Sequence, residues 1–144
     1  CQHGGTARLF DGAVRVKLTL AFHGSTLPDG RGGYTYGGNP CGFLIRTSDG
    51  KTIYDAADTA LFGDMKLIGE EGVDLAFLPI GDTYTMGPDD ALRAVKFVGP
   101  KKVVPIHFNT WPPLAQDAEA WAERVRSETP TEAVVLKPGD WIEI

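Results

Sequence analysis

Three side chains in this sequence are of types that bind cations or move protons, and they stand at matching places: His23, Asp58 and His107. Each follows a run that reads as a β-strand. His23 comes directly after AVRVKLTLAF, Asp58 follows KTIYDAA, and His107 comes directly after KKVVPI. In layered α/β proteins the loops beyond strand carboxyl ends are where ligands bind, because rigid strands there deliver side chains into one crevice. Two imidazoles and a carboxylate at one rim make a donor set for Zn²⁺, Mn²⁺ or Fe²⁺, whereas softer metals would call for thiolates. Each residue also has a plainer role open to it. Asp58 precedes Thr59 and a helical pattern and can serve as an N-cap; His107 can be a hydrogen-bonded core histidine and His23 a loop histidine.

Further polar groups lie around this trio. Asp82 in PIGD also ends a strand and can reach the same rim or simply form a turn. Asn109 and Thr110 can steady His107 from behind or make local turns of their own. Ser25 has no Gly-x-Ser-x-Gly turn around it, which argues against a serine nucleophile. Residues 29–38 hold five Gly in ten positions but lack the Gly-Lys-Ser/Thr ending of a phosphate-cradling loop, so they read as a mobile loop. Tyr34, Tyr36, Tyr84 and Trp111 can border a cleft, with ordinary packing the simpler role. His3 reads as a terminal residue and Cys41 as a small apolar one.

The elements that must position these groups follow from periodicity. Ala13–Phe22 alternates apolar and polar side chains as a strand buried on one face does. Cys41–Thr47 and Lys51–Tyr54, joined by Ser48-Asp49-Gly50, read as a hairpin. Leu61, Met65 and Ile68 recur at helical spacing up to Gly69. Asp74–Ile80 is a nearly continuous apolar run, as expected of a strand with both faces covered. Gly87-Pro88-Asp89-Asp90 opens a helix whose inward stripe is Leu92, Val95 and Val98. Lys101–Ile106 is a further strand, and Ala118, Trp121, Ala122 and Val125 mark a third helix. Val134–Leu136 and Trp141–Ile144 read as two short closing strands. A hairpin followed by alternating strands and helices predicts an α/β layer with helices on a sheet.

Composition removes several classes. The 144 residues carry 14 Lys+Arg against 19 Asp+Glu, and a net charge of −5 argues against a broad nucleic-acid-binding face. No apolar run reaches the length of a membrane span. Two cysteines cannot build a dense disulfide framework, so a reducing cytoplasm is the expected compartment. The chain starts with Cys1 rather than Met and has no signal-peptide pattern, so it reads as a piece of something longer or as a processed chain.

The runs AFHGS (21–25), GKTIYDAADTALFGDMKLIG (50–69), DLAFLPIGDTYTMGPDDA (74–91) and KKVVPIHFNTWP (101–112) resemble the metallo-β-lactamase superfamily. The nearest branch is one of cytoplasmic, largely uncharacterised metal-dependent hydrolases related to lactonases. The resemblance implies a four-layer αββα sandwich with two divalent ions, zinc in the first place and manganese or iron as alternatives. It implies His23 as a ligand of the first ion, Asp58 as the bridge between both, and His107 as a ligand of the second. The His-x-His-x-Asp-His run of that superfamily is absent here. On that basis residues 1–144 correspond to the rear, C-terminal part of the domain. The branch also reads His-Ala-Gly-Asp-Thr where this chain reads Asp55-Ala56-Ala57-Asp58-Thr59: Asp55 adds negative charge near the site, and Ala57 adds a β-carbon where the backbone needs unusual torsions.

The implied chemistry is cleavage of an ester, lactone or phosphodiester in a small-molecule substrate by metal-bound hydroxide, with Asp58 and His107 at the catalytic centre. Three ligands are too few for two ions, which implies a complementary N-terminal half or a second copy of the chain as partner. Such a partner would also cover the sheet face that a half-sandwich leaves bare. Two alternatives stand beside this. One is a non-catalytic binding or assembly module that keeps the fold without a working site. The other is a single-ion site in which His23, Asp58 and His107 form a two-His-one-carboxylate triad.

Overall fold

The computed structural model describes residues 1–144. Seven strands form one mixed sheet: β1 (Thr6–Leu9), β2 (Val14–Leu20), β5 (Cys41–Arg46), β6 (Thr52–Asp55), β7 (Leu75–Pro79), β8 (Lys102–Ile106) and β9 (Glu132–Ala133), in that spatial order. Strands β3 (Thr26–Pro28) and β4 (Tyr34–Tyr36) make a separate two-stranded hairpin. Helices α1 (Met65–Gly69), α2 (Pro88–Val98) and α3 (Ala118–Glu128) fill the crossovers. Strands β6 to β9 pair in parallel, whereas β2, β5 and β6 pair antiparallel. Because β2 is antiparallel to β5 and β5 to β6, β2 runs in the same direction as β6, β7 and β8. Five carboxyl ends, counting that of β9, therefore share one edge of the sheet.

Register assigns the faces. Leu44, Tyr54, Ala76, Val103 and Ala133 stand side by side across the sheet. These residues join Met65 and Ile68 of α1, Ala91, Leu92 and Val95 of α2, and Trp121, Ala122 and Val125 of α3 in one buried core. The opposite face carries the alternate residues Val16, Leu18, Phe43, Ile45, Ile53 and Phe77, all only half-buried, although Leu75 and Val104 on that face are buried. The side-chain period of two that buries one face thus leaves the other apolar but without a helix layer.

Charged side chains tie the crossovers to the strands. Glu71, just beyond α1, accepts Lys17 of β2 at 2.6 Å and Arg46 of β5 at 2.5 Å. The Lys17 hydrogen bond holds the Glu71 carboxyl below its ordinary range. Asp74, before β7, accepts the Lys101 ammonium at 2.7 Å and the Thr52 amide at 2.9 Å, and Lys101 holds its carboxyl low as well. Burial pushes the Tyr54 hydroxyl up.

Four sequence expectations need correction. Residues 29–38 are not only a loop, since Tyr34–Tyr36 pairs with Thr26–Pro28. The tight turn is closed by Asp29, whose carboxylate accepts the amides of Arg31 and Gly33 at 2.8 and 2.9 Å. The helix spaced on Leu61 begins only at Met65, with Asp64 and not Asp58 at its N-cap position. Residues 59 and 60 commit their polar groups to other loops and so cannot start a helix. Val134–Leu136 and Trp141–Ile144 form no strand; the Lys137 amide bonds the Asp140 carboxylate and the Asp140 amide bonds the Lys137 carbonyl, both at 2.9 Å, closing the chain into a turn on Gly139. Strand β1 has no sequence signature, as TARL carries no clear alternation of its own and is recruited by pairing with β2.

Candidate active site at the carboxyl edge of the sheet

The shared edge places the segments after β2, β6, β7 and β8 next to one another, and backbone hydrogen bonds lace them together. The Ala56 amide donates to Phe77 at 3.1 Å, and the Ile80 amide to Ile106 at 3.1 Å. The segment carrying His23 is tied to that carrying Asp58 through neighbours of both: the Phe22 amide donates to Thr59 Oγ1 at 2.9 Å, and the Ala60 amide to the Phe22 carbonyl at 3.0 Å. Phe22 also packs edge-on against Phe62, ring centres 5.3 Å apart.

Within this rim the structure brings Asp58 and His107 together, with Oδ1 and Nε2 3.7 Å apart. That spacing exceeds a hydrogen bond. It is near the ~3.4 Å that separates two donors of one tetrahedral ion bound at about 2.0–2.2 Å. Both side chains are partly open to solvent, with exposures of 28% for His107 and 45% for Asp58. The other ring nitrogen of His107, Nδ1, is buried without a hydrogen-bond partner, which leaves Nε2 as the nitrogen that faces the rim. Neutral imidazole with carboxylate suits a divalent first-row cation, so this pair fits the donor chemistry of such an ion. His23 is on the same rim, but its ring is exposed and its Nδ1 lies 2.8 Å from the Gly24 carbonyl. No three His, Cys, Asp or Glu side chains gather closely enough to hold a metal.

The remaining polar candidates hold loops in place. Asp55 Oδ1 accepts the Ala57 amide at 2.9 Å, closing a turn in which Ala57 sits at φ +53°. The unusual torsion expected at Ala57 is therefore present. Asp82, at φ +61°, accepts the Thr83 amide at 2.8 Å, a turn role. Asn109 clamps Gln116, its Oδ1 accepting the Gln116 amide at 2.8 Å and its Nδ2 donating to the Gln116 carbonyl at 3.0 Å. Neither amide atom is turned to His107. Thr110 is exposed on the same loop.

Three residues that sequence reasoning passed over shape the rim. Thr59 is fully buried; its hydroxyl accepts from Phe22 and donates to Ala60 at 2.8 Å, while its carbonyl accepts from Met86 at 3.0 Å. One residue thereby joins the segments that carry His23, Asp58 and Asp82. Gly81 lies against His107, and Gln116 Nε2 reaches the Gly81 carbonyl at 3.3 Å. The signal for Thr59 is its place next to Asp58, which reads instead as the start of a helix. Of seven non-glycine residues with positive φ, five (Ala57, Asp82, Thr83, His107 and Asn109) lie in these loops. Left-handed torsions cost β-carbon-bearing residues energy, and such residues cluster at functional sites.

A seven-stranded mixed sheet whose aligned carboxyl ends present a carboxylate and an imidazole defines an α/β protein with a candidate site at its sheet edge. Residues 1–108 match the family described as "Beta-lactamase superfamily domain", and the chain belongs to the metallo-β-lactamase superfamily. It is 52% identical over 144 residues to the "UPF0173 metal-dependent hydrolase" of Pelotomaculum thermopropionicum, covering 99% of this chain and 62% of that protein. It is 56% identical over 137 residues to the protein of that name in Thermus thermophilus, covering 95% of this chain and 58% of the relative. Among solved structures, Igni18, a metallo hydrolase from the archaeon Ignicoccus hospitalis, superposes with a TM-score of 0.85 at 38% identity over 97% of this chain and 57% of that one. The chain thus spans roughly three-fifths of the length of the relatives it matches. No helix is long and apolar enough to cross a membrane.

Proposed function

We propose that the rim centred on Asp58 and His107 is the cation-binding part of a hydrolase acting on an ester, lactone or phosphodiester in a small-molecule substrate. The observation that carries this is the facing of Oδ1 and Nε2 at 3.7 Å inside loops that hold five of the seven left-handed non-glycine residues. The names of the two curated relatives, both metal-dependent hydrolases, support the same class. Asp58 and His107 would hold the cation, zinc before manganese or iron. His23 would join them once its ring turns from the Gly24 carbonyl. A divalent cation in such a site acidifies a water and polarises the bond to be cut. The protein's own part is positional: Thr59 fixes the Asp58 segment, and Gly81 lets the His107 backbone sit close to the end of β7. Two cations, as in the superfamily's complete sites, need more donors than this chain gathers. In this reading they come from the additional length that relatives carry, or from a second copy, packed over the half-buried sheet face.

The test is metal content by mass spectrometry of protein equilibrated with Zn²⁺ and desalted. The reading expects bound zinc that His107→Ala and Asp58→Ala each remove; retention of the wild-type content by both variants overturns it. A second reading, a binding or assembly module without catalysis, is favoured by the exposed His23 and the lack of a third gathered donor. It expects no zinc in the wild type. Mass photometry bears on the partner: a well-folded isolated monomer of this chain would exclude the proposed covering of the second sheet face.

A further inference from the structure

Tyr84 and Trp111 stack on each other, ring centres 5.5 Å apart and planes 15° from parallel. Each remains about half exposed, at 50% and 48%. They belong to the two loops that meet at the Gly81–His107 contact. Tyr84 is three residues beyond Gly81 and Trp111 four beyond His107, so their Cα atoms lie within roughly 15 Å of that contact by chain length alone. The loops are also cross-tied: Thr83 Oγ1 donates to the Pro113 carbonyl at 3.3 Å and Gln116 to Gly81 at 3.3 Å, while the Asn109 amide donates to Leu114 at 2.8 Å within its own loop. The aromatic pair is therefore held in register with His107.

A stacked pair satisfies one face of each ring. Burial in the core would satisfy the other, but these rings stay half in solvent beside exposed polar neighbours, Asp82 and Thr83 in one loop and Asn109 and Thr110 in the other. Substrate sites pair a few placed polar groups with apolar walls, and each ring of this pair keeps about half of its surface open to solvent. We infer that Tyr84 and Trp111 form the wall that receives a flat apolar group, an aryl ring, on the substrate of the Asp58–His107 site. The placement of that substrate rests on the hydrolase reading; the capacity of the pair to bind an aryl ring does not.

The experiment separates the two. Phenol is titrated into the full chain and its binding followed by ligand NMR line broadening, for the wild type, Tyr84→Ala, Trp111→Ala and Trp111→Phe. In parallel, hydrolysis of phenyl acetate and methyl acetate is measured with Zn²⁺ present. The inference expects phenol affinity to fall about 3- to 10-fold in both alanine variants, the factor a lost aromatic pair gives, and to be largely restored by Trp111→Phe. The ratio of kcat/KM for phenyl over methyl acetate should fall by the same factor. Phenol binding unchanged in both alanine variants, or absent from the wild type, overturns the inference. A wild type that retains no zinc yet loses phenol affinity in the variants overturns the hydrolase reading and leaves the aromatic wall standing.

Discussion

Gly81 and His107 are in backbone contact: a β-carbon on Gly81 would overlap the His107 carbonyl oxygen and stand 3.0 Å from Nδ1 of its ring. This contact joins the end of the β7 strand to the end of β8 and sets the height of the imidazole at the rim. Gly81→Ala must push the His107 segment outward. It is expected to cost about 1–3 kcal/mol as an overpacked site, read as a lowered urea midpoint, with loss of zinc retention. An unchanged midpoint would show that the loops slide apart freely.

Thr59 connects three segments through one hydroxyl and one carbonyl. Thr59→Val keeps the shape but leaves the Phe22 amide without its acceptor, a loss of about 1–3 kcal/mol. Thr59→Ser restores the hydroxyl and should recover most of that difference in thermal unfolding. Equal destabilisation by Val and Ser would show that the hydroxyl alone does not account for the role of this position.

Ala57 at φ +53° carries its β-carbon at a steric cost in a left-handed turn closed by Asp55. Glycine removes that cost and adds unfolded-chain entropy, so the two effects oppose each other. A net stabilisation of about 0.5–1 kcal/mol is expected for Ala57→Gly by chemical denaturation. A destabilised variant would contradict the assigned torsion.

Glu71 and Asp74 both have carboxyls held low, by Lys17 and Lys101 first of all. A carboxyl lowered in the folded state contributes stability that is present above its unfolded value and is lost as pH falls through the folded value. The unfolded values are 4.5 for Glu71 and 3.8 for Asp74, so stability should fall below about pH 4.5, more gently in salt because both groups are near the surface. Thermal midpoints measured from about pH 6 down to about pH 3 should decline less steeply in a Glu71→Gln, Asp74→Asn double variant, because the proton uptake that couples folding to pH at these two sites is gone. Parallel curves would show that other carboxylates govern the acid limb.

The sequence by itself determined the order of the main elements and the strand-end placement of His23, Asp58 and His107. Those features are local: alternation in AVRVKLTLAF, continuous apolar runs in DLAFLPI and KKVVPI, and the helical stripe of Leu92, Val95 and Val98 each depend on residues a few positions apart. Tertiary structure decided the rest. It recruited TARL into β1 because a neighbouring strand offered pairing groups, and it ended the β8–β9 ladder at Ala133, which leaves Val134–Leu136 outside the strand. It kept residues 59 and 60 out of a helix because Phe22 and Met86, distant in sequence, take their polar groups. It brought Asp58 to His107 and turned the His23 ring to Gly24, since side-chain direction at a loop is set by packing and hydrogen bonds between segments, which no periodicity encodes.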